Sequence, residues 1–175
     1  MIDNILCRDE SKSTSSAPPA DIFAQYFAKK IDDIRTATVG APPPAFRANV
    51  SDVEFSAFNL LDVNDTVRLI GQSPMKQCAS DPIPTLLLKD CADLLAPYIT
   101  RIINDSLSTG CVPATFKQAY ITPLLKKAGL DEGVAANYRP VSNLCVLSKL
   151  LQRVVSRQLD GHLSSAGLLL THQSD

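Results

Sequence analysis

Residues 119–163, "AYITPLLKKAGLDEGVAANYRPVSNLCVLSKLLQRVVSRQLDGHL", change rhythm twice, and those changes decide the fold class. "AYITPLL" is rich in β-branched and aromatic residues, with apolar side chains on both alternating faces, the pattern of a buried strand. Pro123 inside it points to an edge or a bulge. "YRPVS" at 138–142 is a second extended piece. The turn formers Gly129, Asp131, Gly133 and Asn137 between the two predict a hairpin with a long, mobile tip. From Leu147 the period becomes helical: Leu147, Leu150, Leu151, Val154 and Leu159 face inward, and Lys149, Arg153 and Arg157 recur at four-residue steps on another side. The expected class is therefore mainly α with a small β-hairpin, α+β.

Upstream, the helical period dominates. In "DIFAQYFAKKIDDIRTA", Ile22, Phe23, Tyr26, Phe27, Ile31 and Ile34 recur at helical steps, and Asp21 is the expected N-cap. "GAPPPA" at 40–45 stops this helix, because successive prolines fix φ and remove donors. Asn64 or Asp65 is the expected cap of a short helix through Val67, Leu69 and Ile70, closed by Gly71. After the loop "SPMKQCASDPIP", one helix is expected over about 84–95 and a second from Pro97 in its first turn to about Ser108, with Gly110 as the break. Leu87, Leu88, Cys91, Leu94 and Leu95 form the apolar face of the first. Ile99, Ile102, Ile103 and Leu107 form that of the second, and the two faces are expected to pack together. Residues 1–20 end in a Ser/Thr/Pro cluster and are read as a flexible leader. The expected organisation is this leader, a helical linker region over 21–78 broken at 40–45, and a last region over 79–175.

The chain has 175 residues, enough for one ordinary domain, and a formal net charge of -1 excludes a generally basic nucleic-acid binder. Any nucleic-acid surface is therefore local. Cys7, Cys78, Cys91, Cys111 and Cys145 are odd in number and form no C-x-x-C pair, so neither a disulfide framework nor a zinc site is expected, and an intracellular chain that is not secreted is the simpler reading. No run approaches a membrane span in length. Asp32 and Asp33 diverge by about 100° on a helix and cannot converge on one metal ion. His162 and His172 lack partners at ligand spacing, and no G-x-S-x-G is present. No catalytic residue and no metal ligand is therefore assigned.

Lys126, Lys127 and Arg139 bracket the hairpin loop. Neighbouring strands lie about 4.8 Å apart, so these residues can face one site, where a lysine offers a point charge and an arginine a fork for two phosphate oxygens. The solvated ends of an ordinary surface hairpin would carry the same residues. Lys149, Arg153 and Arg157 are equally open to two readings, a nucleic-acid stripe or a solvated helix face. Tyr138 can stack a base or anchor its strand.

Several ordered motifs tilt those alternatives. "SDPIP" at 80–84, the spacing G-x-x-P-x-x-F-K-x-A from Gly110 to Ala119, I-x-P-L-x-K-K from Ile121 to Lys127, and "NYRPVSNL" at 137–144 strongly resemble the start of the reverse transcriptase domain of LINE-type, non-LTR retrotransposons. The likeness covers about 79–174, and "FAQYFAKKIDDIR" more loosely resembles the linker before that domain. The resemblance implies the fingers subdomain of a right-hand polymerase fold. It implies nucleotide phosphates on Arg139, with Lys126 and Lys127 close to nucleotide or template, and nucleic acid held by Lys149, Arg153 and Arg157; Tyr138 is kept beside them as a nucleic-acid candidate on its own chemistry. RNA or DNA template and deoxynucleotide are the implied partners. The metal-binding aspartates of the family lie beyond this stretch, so no cofactor is expected here and Mg2+ is implied only for a full-length relative. "LLLTHQSD" stands where relatives read Q-S-G-F-R, which leads to the expectation of a truncated fragment, inactive alone. The alternative is a retained, non-catalytic helical module that binds nucleic acid, or a protein partner through apolar surface left exposed by truncation.

Overall fold

The computed structural model describes residues 17–43, 54–76, 78 and 81–168. The expected leader, apart from its last residues, and the end of the proline run fall outside them. The elements are α1 (Ala20–Ala37), α2 (Val63–Gly71), α3 (Thr85–Asp90), α4 (Ala92–Thr109), β1 (Ala119–Leu125), β2 (Tyr138–Leu144) and α5 (Val146–Ser165). Short 3-10 turns precede each strand, at Ala114–Lys117 and Ala135–Asn137. The described residues are mainly helical, and their two strands pair as one antiparallel hairpin. Among the described residues two compact units form: one holds α1 and residues 122–141, the other the described residues between 54 and 121 and between 142 and 168.

The second unit contains the main core. Leu69 and Ile70 of α2, Leu88 of α3, Ile99, Ile103 and Leu107 of α4, and Leu150, Leu151 and Val154 of α5 are buried together. Thr66 and Thr100 are buried between α2 and α4, their hydroxyls 2.6 Å apart, and Thr100 also donates to the Ala96 carbonyl. Two polar groups thus satisfy each other inside an apolar contact, as burial requires.

Several helix ends differ from expectation. α1 starts at Ala20 after an extended Pro19, and Asp21 sits in the first turn, where a carboxylate opposes the helix dipole without capping. The cap of α2 is Asp62: its carboxylate accepts from the Asp65 N–H at 2.6 Å while Asp65 accepts from the Asp62 N–H at 3.2 Å, a reciprocal capping box. Gly71 is the last helical residue, not the residue beyond, and Gln72 closes the helix. The break expected between Leu95 and Pro97 lies instead at Cys91, and Pro97 is inside α4. The bond it forfeits would go to the Asp93 carbonyl. Both residues are exposed, so water can reach that group. Gly110 ends α4 in the left-handed conformation that glycine permits, φ 69°.

Burial also corrects two apolar faces. Leu87 and Leu94, expected to face inward with Leu88, are exposed, because α3 and α4 turn their opposite side to the core. β1 is not a buried strand: Tyr120, Ile121 and Leu124 are all exposed, since among the described residues the sheet has two strands only. Both strands are therefore edges, the setting in which Pro123 and Pro140 are tolerated.

An extended segment before α2, for which the sequence carries no helical or strand period, is held by two side-chain amides. Asn104 of α4 accepts from the Leu61 N–H and donates to the Leu61 carbonyl, both at 2.9 Å. Gln158 of α5 does the same for Asn59, at 2.7 and 3.0 Å. Each amide supplies the donor and acceptor pair that a neighbouring strand would offer.

Candidate functional site

The hairpin end is built by its own polar groups, several of which bond across its tip. Gly129 takes the left-handed conformation, φ 82°, at the first turn. Asp131 then accepts from the Gly133 N–H at 2.8 Å, and the Asn137 side-chain amide donates to the Asp131 carbonyl at 2.8 Å. The Lys126 N–H donates to the Asn137 carbonyl at 2.9 Å, closing the ladder. With that register set, the Lys126 ammonium donates to the Ala136 carbonyl at 2.7 Å, and Nη2 of Arg139 donates to the Lys126 carbonyl at 3.1 Å.

Lys126 and Arg139 are thereby brought together, with Lys127 the next residue along, and all three are exposed. Each anchoring bond uses one donor. A guanidinium has five N–H groups and an ammonium three, so most of the donor capacity of both residues remains available to an anion. The bonds to backbone also lower the entropy an incoming anion must remove, since two long side chains are already oriented. Exposed cations on one hairpin end can each hold a phosphate oxygen.

Tyr138 is placed differently. It is buried, its ring meets Phe23 of α1 edge-on with centroids 4.8 Å apart, and its hydroxyl donates to the Glu132 carbonyl at 3.0 Å. Within this unit it anchors β2 against α1. Burial, and then the charges of Glu132 and Asp131, hold its phenol above the ordinary value of about 10. The sign follows: below that value folded and unfolded chains both keep the proton and the contribution is intact. As pH rises the unfolded chain ionises first, and stability declines until the folded phenol also titrates. An ultraviolet phenolate titration of the native protein should therefore show a late phase, absent in Tyr138→Phe. A titration curve identical in the two proteins would contradict this.

The α5 cations belong to the helical unit. Lys149 is exposed. Arg153 is half-buried, and its Nη1 lies out of solvent without an acceptor among the described residues. Arg157 is exposed and donates to Oε1 of Gln72 at 2.9 Å, at the closing residue of α2. Beside it is a cavity of about 440 Å3, with Leu61, Leu69 and Val154 on its apolar wall and Arg68, Gln72 and Arg157 among its polar residues. Arg68 is drawn toward Asp65 at 2.5 Å, and the Asp65 carboxyl is held below its usual range by the Asp62 N–H and then by Arg68. Arg68 and Gln72 were not singled out in the sequence. Their one-turn spacing on α2 is a usable signal only once Arg157 is known to lie beside that helix. Among the described residues no three His, Cys, Asp or Glu side chains gather at metal-binding spacing, and no helix is long and apolar enough to cross a membrane.

No protein-family model matches the chain. It is similar to two proteins of Drosophila melanogaster. It is 24% identical over 158 residues to the "Probable RNA-directed DNA polymerase from transposon X-element", covering 88% of this chain and 17% of that protein. It is 24% identical over 171 residues to the "Probable RNA-directed DNA polymerase from transposon BS", covering 97% of this chain and 19% of that protein. The chain thus spans less than a fifth of the curated relatives it matches.

Proposed function

We propose that this chain is a piece of an RNA-directed DNA polymerase of a non-LTR retrotransposon, corresponding to the fingers region of a right-hand polymerase fold and the linker before it. Lys126, Lys127 and Arg139 contact the phosphates of the incoming deoxynucleotide. Lys149, Arg153 and Arg157 on α5 hold the backbone of RNA or DNA. The reading is supported by similarity to two transposon polymerases along nearly the whole chain, and by the order of "SDPIP", "NYRPVSNL" and the motifs between them. The observation that carries it is the hairpin geometry: Arg139 and Lys126 are fixed by one bond each while both remain exposed.

In this reading the chain binds and orients. Arg139 offers its fork to two oxygens of the triphosphate, and the lysines neutralise charge beside it. The carboxylates that hold Mg2+ for phosphoryl transfer come from outside this sequence, so the chain alone binds without polymerising. Tyr138, anchored on Phe23, sets the register of β2 and thereby the position of the adjacent Arg139.

Arg139→Ala should weaken binding of a deoxynucleoside triphosphate or a labelled RNA by about tenfold, the loss expected for one charge-assisted hydrogen bond. Arg139→Lys should recover part of it, since charge returns without the fork. Thermal melts should barely move, because the bond to the Lys126 carbonyl is exposed. Affinity should also fall steeply with salt as counterions are released. Unchanged affinity with a lowered melting temperature would remove Arg139 from the site, and primer extension by the purified chain would overturn the claim of inactivity.

A further inference from the structure

The apolar stripe of α1 is only half used. Phe23, Phe27, Ile31 and Ile34 lie within one narrow band of a 3.6-residue helix. Phe23 at its start is buried against Tyr138, whereas Ile31 and Ile34 are 51% and 56% exposed. The far face is closed off by the ion pairs Lys29–Asp33 and Asp32–Arg35. Lys30 flanks the open stripe on one side without an ion pair among the described residues, and Arg35, already paired with Asp32, lies on the other. An isolated helical segment this short is marginal in water, so the outer half of α1 has the form of one strand of a helix pair.

A second open stripe lies in the helical unit. Leu87 of α3 and Leu94 and Tyr98 of α4 are 50%, 70% and 69% exposed. The bonds from the Cys91 N–H to the Leu87 carbonyl and from the Leu95 N–H to the Cys91 carbonyl, both 3.0 Å, carry the helical course across the break. The three residues therefore line up at the seven- and four-residue steps of a coiled-coil seam. Asp90 and Asp93 run along one side of it, exposed and without an ion pair among the described residues.

We propose that these two stripes are the halves of one interface: the outer part of α1 of one copy packs on the α3–α4 seam of a second copy. Charge selects this pairing over the symmetric ones. Two α1 stripes would set the unpaired Lys30 against the same cation, and two α3–α4 seams would set the unpaired Asp90 and Asp93 against the same carboxylates. The mixed pairing sets cations against carboxylates beside an apolar seam, the arrangement that fixes partner choice in helix pairs. The contact is heterologous, with each copy carrying both halves.

The wild-type protein should leave the monomer mass of 18.9 kDa for at least twice that value as concentration rises from about 1 µM to about 1 mM in sedimentation equilibrium. Ile31→Lys and Leu94→Lys should each weaken association by at least about tenfold while leaving the circular dichroism spectrum unchanged, because both positions are exposed. The decisive arm is the mixture. Ile31→Lys keeps an intact seam and Leu94→Lys keeps an intact α1, so equal amounts of the two should form a heterodimer that neither forms with itself. A wild-type chain that stays monomeric overturns the proposal, as does a folded mixture that does not associate. Loss of association in one variant with none in the other would instead identify a symmetric α1 or seam contact and would equally overturn it.

Discussion

Asp81→Ala should destabilise the helical unit by about 3 kcal/mol, the consequence of stranding two partly buried backbone donors that a carboxylate had satisfied. One oxygen of Asp81 accepts from the Val146 N–H at 2.5 Å and the other from the Cys78 N–H at 2.6 Å. Val146 is the first residue of α5, and the residue before it, Cys145, makes no side-chain cap. α5, the longest helix among the described residues, therefore takes its N-terminal acceptor from a loop 65 residues upstream. The carboxylate also opposes the dipole of α5, which adds to the effect. The Asp81 N–H bonds back to the Cys78 carbonyl at 3.0 Å, so the same residue closes the turn before α3. Asp81→Asn should be nearly as damaging, since one of its two terminal atoms would present N–H to N–H. Urea unfolding should show a lower midpoint at an unchanged slope. A midpoint within experimental error of wild type would show that water replaces the carboxylate at both donors.

This cap explains why a motif can be read without its physics. "SDPIP" stands out in the sequence as a run of turn formers, and nothing local says that its aspartate reaches a helix that begins beyond the hairpin. The hairpin itself was legible because its signals are local: two extended runs and turn residues between them, and the structure pairs the two runs. The bonds of the tip were not legible because Asp131, Asn137 and Lys126 each act through contacts whose geometry exists only once the register is set. Asn104 and Gln158 were invisible for a related reason, since an amide on a helix face carries no sign of the backbone segment it will clamp. Helix faces were legible where the period was strong and the helix was buried on one side, as in α5. They failed where an apolar stripe is real but uncovered, as at Leu94. Periodicity reports which residues share a face, and burial depends on what the rest of the fold brings to it.

Leu150 and Leu94 turn that distinction into numbers, since both were expected to face inward on helical period alone. Leu150 is 1% exposed and packed with α2 and α4 residues in the core, whereas Leu94 is 70% exposed. Leu150→Ala removes buried methyl groups and leaves a cavity that the surrounding helices close only in part, which should cost about 3–4 kcal/mol. Leu94→Ala creates no cavity and should change stability by at most about 0.5 kcal/mol. In an 18.9 kDa chain a loss of the first size is a large share of the total, which for such a domain is about 5–15 kcal/mol, so Leu150→Ala should populate unfolded chain at temperatures where Leu94→Ala stays folded. Thermal melts at low concentration, where association through the Leu94 stripe contributes nothing, separate the two effects. Equal losses at both positions would mean that the α3–α4 stripe is covered within the monomer. That result would move Leu94 into the core and take away the exposed seam on which self-association rests.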